Sequence, residues 1–128
     1  MDIADFIRAR LDEDEQAARA ATPGPWTVDS DIYPEAINSP SGDQPVAGGR
    51  WGGEASVFET AADAVHIARH DPARVLAEVA AKRRILGWAN SPALPPQESF
   101  YVLDALATVW AEHPDFREDW EDSWEPKW

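Results

Sequence analysis

The stretch Thr60–Gly87, TAADAVHIARHDPARVLAEVAAKRRILG, decides the fold. Thr60 can cap a helix that has Asp63 at its third position, because a threonine oxygen accepts one of the N–H groups left without partners at a helix start. The step His70-Asp71-Pro72 then ends that helix and starts another. Asp71 is its cap, and Pro72 takes the first helical position, where a missing N–H costs nothing. Two consecutive helices are expected, over residues 60–70 and 72–87. In the second, Val75, Leu76, Val79 and Leu86 form an apolar stripe, and Arg74 and Glu78 pair at i,i+4. Lys82, Arg83 and Arg84 lie near the negative end of its dipole, and Gly87 is the expected stop.

Upstream of this pair, residues 26–58 are broken by Pro34, Pro40, Gly42, Pro45 and paired glycines. The short runs between the breaks, Trp26–Val28, Glu35–Ile37, Pro45–Ala47 and Ala55–Phe58, read as three or four strands of an antiparallel meander. Further upstream, Ile3, Phe6, Ile7 and Leu11 recur at helical spacing and predict a helix over residues 2–20 that stops at Thr22-Pro23-Gly24-Pro25. Downstream, a Pro-rich linker at residues 89–96 leads into Gln97–Glu112, where Phe100, Leu103, Leu106, Ala107 and Trp110 again mark a helix. His113-Pro114 breaks it and opens an acidic, aromatic tail. The fold class is therefore α+β: an N-terminal helix, a small antiparallel sheet, two consecutive helices, a C-terminal helix and the tail. Residues 1–112 are expected to form one domain and 113–128 the tail.

The chain has 128 residues, 44% of them hydrophobic, which suits one modest core. The start lacks the basic and apolar regions of a signal peptide, and no stretch approaches the roughly 18 apolar residues of a membrane span. A cytoplasmic protein without membrane contact is expected. With no cysteine, thiolate chemistry and disulfides are excluded. The net charge of −13 disfavours direct nucleic-acid binding, which depends on Lys and Arg displacing counterions from phosphates. The charge is uneven: residues 60–90 carry +2, whereas residues 91–128 carry −7. On charge alone, that slightly basic block is the natural dock for the tail.

Three stretches together, ARLDEDEQAARAATPGPW (residues 9–26), VAGGRWGGEASVFET (46–60) and ADAVHIARHDPARVLAEVAAKRRIL (62–86), carry a resemblance. They resemble an uncharacterised family of small proteins from actinobacteria and their phages. ATPGPW followed by a helix-Pro-helix is similar, more loosely, to Ead-like phage proteins. The likeness covers residues 5–86 and HPDFRE at 113–118, and the longer Trp-rich tail departs from it. The resemblance implies a phage, prophage or actinobacterial setting and brings no catalytic residue with it.

Few residues are arranged for chemistry. His66 and His70 stand four apart on one helical face, with Asp63 and Glu59 a turn earlier. The pattern leaves two readings open, helix residues bonded to backbone or to Asp71, and a site for a divalent transition metal built on Asp63, His66 and His70. The loop Gly48-Gly49-Arg50-Trp51-Gly52-Gly53 lacks both the P-loop lysine and the GxGxxG order, so it reads as a turn that displays Arg50 and Trp51, residue types common at binding hot spots. In the tail, Trp120, Trp124 and Trp128 fall at i, i+4 and i+8, an indole stripe to be covered by the body of the chain, by a second copy or by another protein. No catalytic triad or paired acid appears. The expected function is non-enzymatic: a monomer or homodimer that needs no cofactor and binds another protein through Arg50, Trp51, Trp120, Trp124 and Trp128. Its acidic surface offers one variant, mimicry of nucleic acid. The alternative is a small metal-binding protein or metal-dependent hydrolase.

Overall fold

The computed structural model describes residues 2–29, 36–41, 45–48 and 58–122, with residues 121 and 122 described by backbone alone. The elements, in order, are α1 (Ile3–Ala20), β1 (Thr27–Asp29), β2 (Ala36–Asn38), β3 (Pro45–Gly48), α2 (Ala61–Arg69), α3 (Pro72–Ala89), α4 (Pro96–Ala107), a single 3-10 turn (Thr108–Trp110) and α5 (Glu118–Asp122). The α+β class and the antiparallel sheet stand as expected. Of the fourth predicted run, Ala55–Phe58, only Phe58 falls among the described residues, in a bend. The chain divides into two compact units, residues 1–14 with 78–128, and residues 15–77.

The second unit, residues 15–77, holds the sheet. β2 is its central strand, paired antiparallel to both neighbours, with Val28 opposite Ile37 and Ile37 opposite Ala47. Pro45 opens the edge strand β3, where its missing N–H does not interrupt a ladder on both sides. The register shifts between Ile37 and Asn38, and β3 ends at Gly48, whose φ of 94° suits glycine. Ile37 is fully buried against Ala64 and Ala68 of α2, and Trp26, Val28, Val46, Ala47 and Phe58 close over this cluster. Two alanines four apart on α2 allow the helix to lie close to the strand. α2 starts as expected: Asp63 N–H donates to Thr60 Oγ1 and Thr60 N–H donates to Asp63 Oδ2, a complete capping box.

Asp71 is the polar centre of this unit. It is buried, and its Oδ1 accepts from Arg74 N–H at 2.8 Å, capping α3 ahead of Pro72. Its Oδ2 accepts from Trp26 N–H at 2.7 Å. The Thr22–Trp26 segment is thus held to the start of α3, with Trp26 Nε1 donating to the Thr22 carbonyl and the Gly24–Pro25 peptide cis. Gly24 is required by this approach, since a Cβ there stands 2.8 Å from Asp71 Oδ2 and 2.9 Å from Ala73 Cβ.

The first unit, residues 1–14 and 78–128, is helical. Its buried apolar side chains are Ile3, Ala4, Phe6, Ile7 and Leu11 from α1, Val79, Leu86 and Ala89 from α3, Leu103 and Ala107 from α4, and Trp120 from α5. α3 runs through Gly87 to Ala89, past the expected stop. A glycine in a helix interior costs only about 1 kcal/mol, less than burial of the flanking Leu86 and Ala89 returns. The helix ends at Ala89 instead, just ahead of Ser91-Pro92, where the Ser91 N–H and hydroxyl both donate to the Trp88 carbonyl. Ser99 Oγ donates to the Ala89 carbonyl and ties the start of α4 to the end of α3.

α1 opens with a second reciprocal cap. Asp5 N–H donates to Asp2 Oδ1 at 2.8 Å and Asp2 N–H donates to Asp5 Oδ2 at 3.3 Å. The Asp5 N–H holds the Asp2 carboxyl below the ordinary aspartate range. A lowered folded value means that this contribution is present at neutral pH and is lost as pH falls through that value, below about pH 4. Asp2→Asn is therefore expected to flatten the pH dependence of stability in that acid window while leaving its slope above pH 5 unchanged, as read from urea midpoints at stepped pH.

Candidate functional site

The structure separates the residues singled out from sequence. Arg50, Trp51, Trp124 and Trp128 lie outside the described residues. Trp120 does not: it is 5% exposed, with its ring centroid 5.2 Å from Phe6 and 5.4 Å from Phe116. Its indole is core rather than contact surface. The described part of the tail packs Phe116 and Trp120 against Phe6 of α1, and aromatic contacts of this kind outweigh single exposed ion pairs worth about 0–1 kcal/mol each.

The basic block has its own partners. Arg83 meets Asp12 at 2.8 Å, and Lys82 Nζ sits 5.6 Å from the Trp110 ring centroid. Many acids are likewise matched: Arg8 pairs with Asp5, Arg10 with Glu13, Arg19 with Glu15 and Arg117 with Asp119, at 2.8–3.1 Å. Arg10 is the buried member of this set. Its guanidinium lies 5.3 Å from the Phe6 centroid, within 2.9 Å of both His113 ring nitrogens and 3.8 Å from Asp115. Periodicity alone missed it, although position 10 falls on the Ile3, Phe6, Ile7, Leu11 face. Asp104, fully buried beside Leu103, was missed in the same way.

His66 and His70 do come together, with ring centroids 4.5 Å apart. Asp63 is engaged in the capping box instead, and among the described residues no group of three His, Cys, Asp or Glu side chains is placed to hold a metal ion. No convergence of nucleophile, base and acid is seen among the described residues. One groove of about 470 Å³ is lined by the single segment Thr108–His113.

What stands out from the surface is apolar. Trp88 is 52% exposed and Val109 in the groove 58%, with Ile85 and Tyr101 also exposed. Sequence reasoning passed over Trp88, yet the signal is there: at about 100° per residue it lies ~180° around α3 from the buried Val79, and Ile85 lies ~120° away. Neither belongs to the stripe that faces the core, and they adjoin each other at i,i+3.

A family model described as a family of unknown function, DUF6221, matches residues 1–122. The chain belongs to this family. The DUF6221 match spans both units and ends at the last described residue of α5. No curated protein and no solved structure matches the chain. Among the described residues, no helix is long and apolar enough to cross a membrane.

Proposed function

We propose that this DUF6221 protein is a non-enzymatic binding module of phage or actinobacterial setting that contacts another protein. The observation that carries this reading is the outward pair Ile85 and Trp88 on α3. A tryptophan with half its surface in water, beside a second large apolar side chain, is the residue type most often found at the centre of a binding hot spot. Arg50, Trp51, Trp124 and Trp128 are proposed as further contact residues, whereas the buried Trp120 is not one of them. Mimicry of nucleic acid draws less support, since the Asp12, Glu13 and Glu15 carboxylates of α1 are each paired with an arginine rather than set in an open row.

The test is a pull-down from a lysate of the source organism with the whole chain, with Trp88→Ala, with Trp51→Ala and with a chain ended at Asp122. Ending the chain earlier, at Asp115, removes Phe116 and Trp120 and confuses folding with binding. A protein retained by the whole chain and lost with Trp88→Ala is the expected result. Recovery of the same proteins by every form sinks the proposal.

A further inference from the structure

An independent feature of α2 supports a site of a different kind. His66 and His70 are both exposed, their rings tilted by 41° with centroids 4.5 Å apart. His70 closes the helix: its backbone N–H donates to the Ile67 carbonyl, and its ring Nδ1 lies 2.9 Å from the His66 carbonyl oxygen. A carbonyl oxygen only accepts, so Nδ1 carries the proton and the lone pair of the neutral ring sits on Nε2. This is the arrangement of a metal-binding histidine, in which one ring nitrogen is tied by its N–H to a backbone carbonyl while the other faces the ion. The His66 ring, one turn earlier on the same face, has no hydrogen bond among the described residues, which leaves it free to turn toward His70. An ion 2.0–2.1 Å from each of two nitrogens in tetrahedral geometry needs them roughly 3.3 Å apart, a spacing within reach of rings already this close. His66 lies in the last turn of α2 and His70 at its C-cap, where the helix dipole favours positive charge.

We propose that His66 and His70 form a two-imidazole site for a late first-row divalent ion, Cu²⁺, Ni²⁺ or Zn²⁺, with water in the remaining positions. Nitrogen donors of this kind select such ions over Mg²⁺ and Ca²⁺, which take oxygen, and Cu²⁺ binds most tightly. The site needs neither Asp63 nor a third protein ligand. It staples the end of α2 and stabilises the fold on loading, because an ion held by the native geometry binds the folded state in preference to the unfolded one.

The experiment uses the untagged full chain with Cu²⁺, followed by titration calorimetry and by pulsed electron paramagnetic resonance, which counts coordinated imidazoles. One equivalent bound through two imidazoles is expected. His66→Ala and His70→Ala should each weaken binding by at least about tenfold, the loss that even an outer partner of a metal ligand costs. Asp63→Asn and His113→Ala should leave it unchanged. His66→Ala preserves the His70 cap, so its effect separates loss of a ligand from loss of helix. The proposal is overturned if no imidazole is coordinated, if the His66→Ala, His70→Ala double variant still binds Cu²⁺ through an imidazole, or if His113→Ala abolishes binding.

Discussion

Replacing Phe6 with alanine is expected to lower the unfolding free energy by about 4 kcal/mol, the usual cost of emptying a buried aromatic site. Phe6 has no exposed surface, and three rings meet it: His113 at 5.7 Å, Phe116 at 5.9 Å and Trp120 at 5.2 Å between centroids. The Arg10 guanidinium covers another side. Aromatic pairs of this kind add roughly 0.5–1.5 kcal/mol each beyond the area they bury. Removing the ring therefore strips residues 113–120 of the packing that holds them and exposes the buried Arg10. Phe6→Leu, which keeps most of the volume, should cost roughly 1–2 kcal/mol. Urea unfolding measures the loss, and hydrogen exchange locates it, with the fastest new exchange expected at residues 113–120. A Phe6→Ala chain within 1 kcal/mol of the parent would show that the tail is held by something else.

What sequence revealed of this arrangement, and what it hid, follows from the range of the interactions. Signals confined to three or four residues were legible: the Thr60–Asp63 capping box, Asp71 before Pro72, and the apolar faces of α1, α3 and α4. Each is a spacing on a single helix, and a spacing is what a sequence records. The dock of the tail was not legible in this way, because periodicity shows that Phe6 and Trp120 need cover but not that they cover each other. Charge pointed to residues 60–90, whereas the described residues of the tail meet Phe6 through their rings, and Arg83 of the basic block pairs with Asp12. Gly87 misled for an energetic reason, its helix penalty being smaller than the burial on either side of it. Trp88 lay open to view, since its angle on the α3 wheel excludes it from the core stripe. The Arg10 cluster was hidden by the habit of counting only apolar residues on a buried face.

The Asp71 carboxylate sets the second large expectation, because it joins two stretches that look unrelated in sequence, ATPGPW at 21–26 and HDPARVL at 70–76. Its two oxygens serve different masters, Oδ1 the first turn of α3 through Arg74 N–H and Oδ2 the Trp26 N–H 45 residues upstream. Asp71→Ala removes the cap, at about 1 kcal/mol, and leaves a part-buried Trp26 N–H unsatisfied, at about 1–3 kcal/mol. A total near 3 kcal/mol is expected. Asp71→Asn keeps one acceptor oxygen but offers the other N–H a second donor, so it should recover only part of that loss. Gly24→Ala attacks the same joint from the opposite side, since its Cβ falls 2.8 Å from Asp71 Oδ2 and has to push the Thr22–Trp26 segment away. If the joint is one interaction, the two changes cannot add: once Asp71 is alanine, the oxygen that Gly24 must avoid is gone, and only the 2.9 Å approach to Ala73 Cβ remains. The double variant should therefore be more stable than the sum of the single losses by more than about 0.5 kcal/mol, the margin within which independent sites add. Urea unfolding of all four chains closes this cycle. Strict additivity would mean that Gly24 and Asp71 act separately, and that the two stretches are neighbours without being partners.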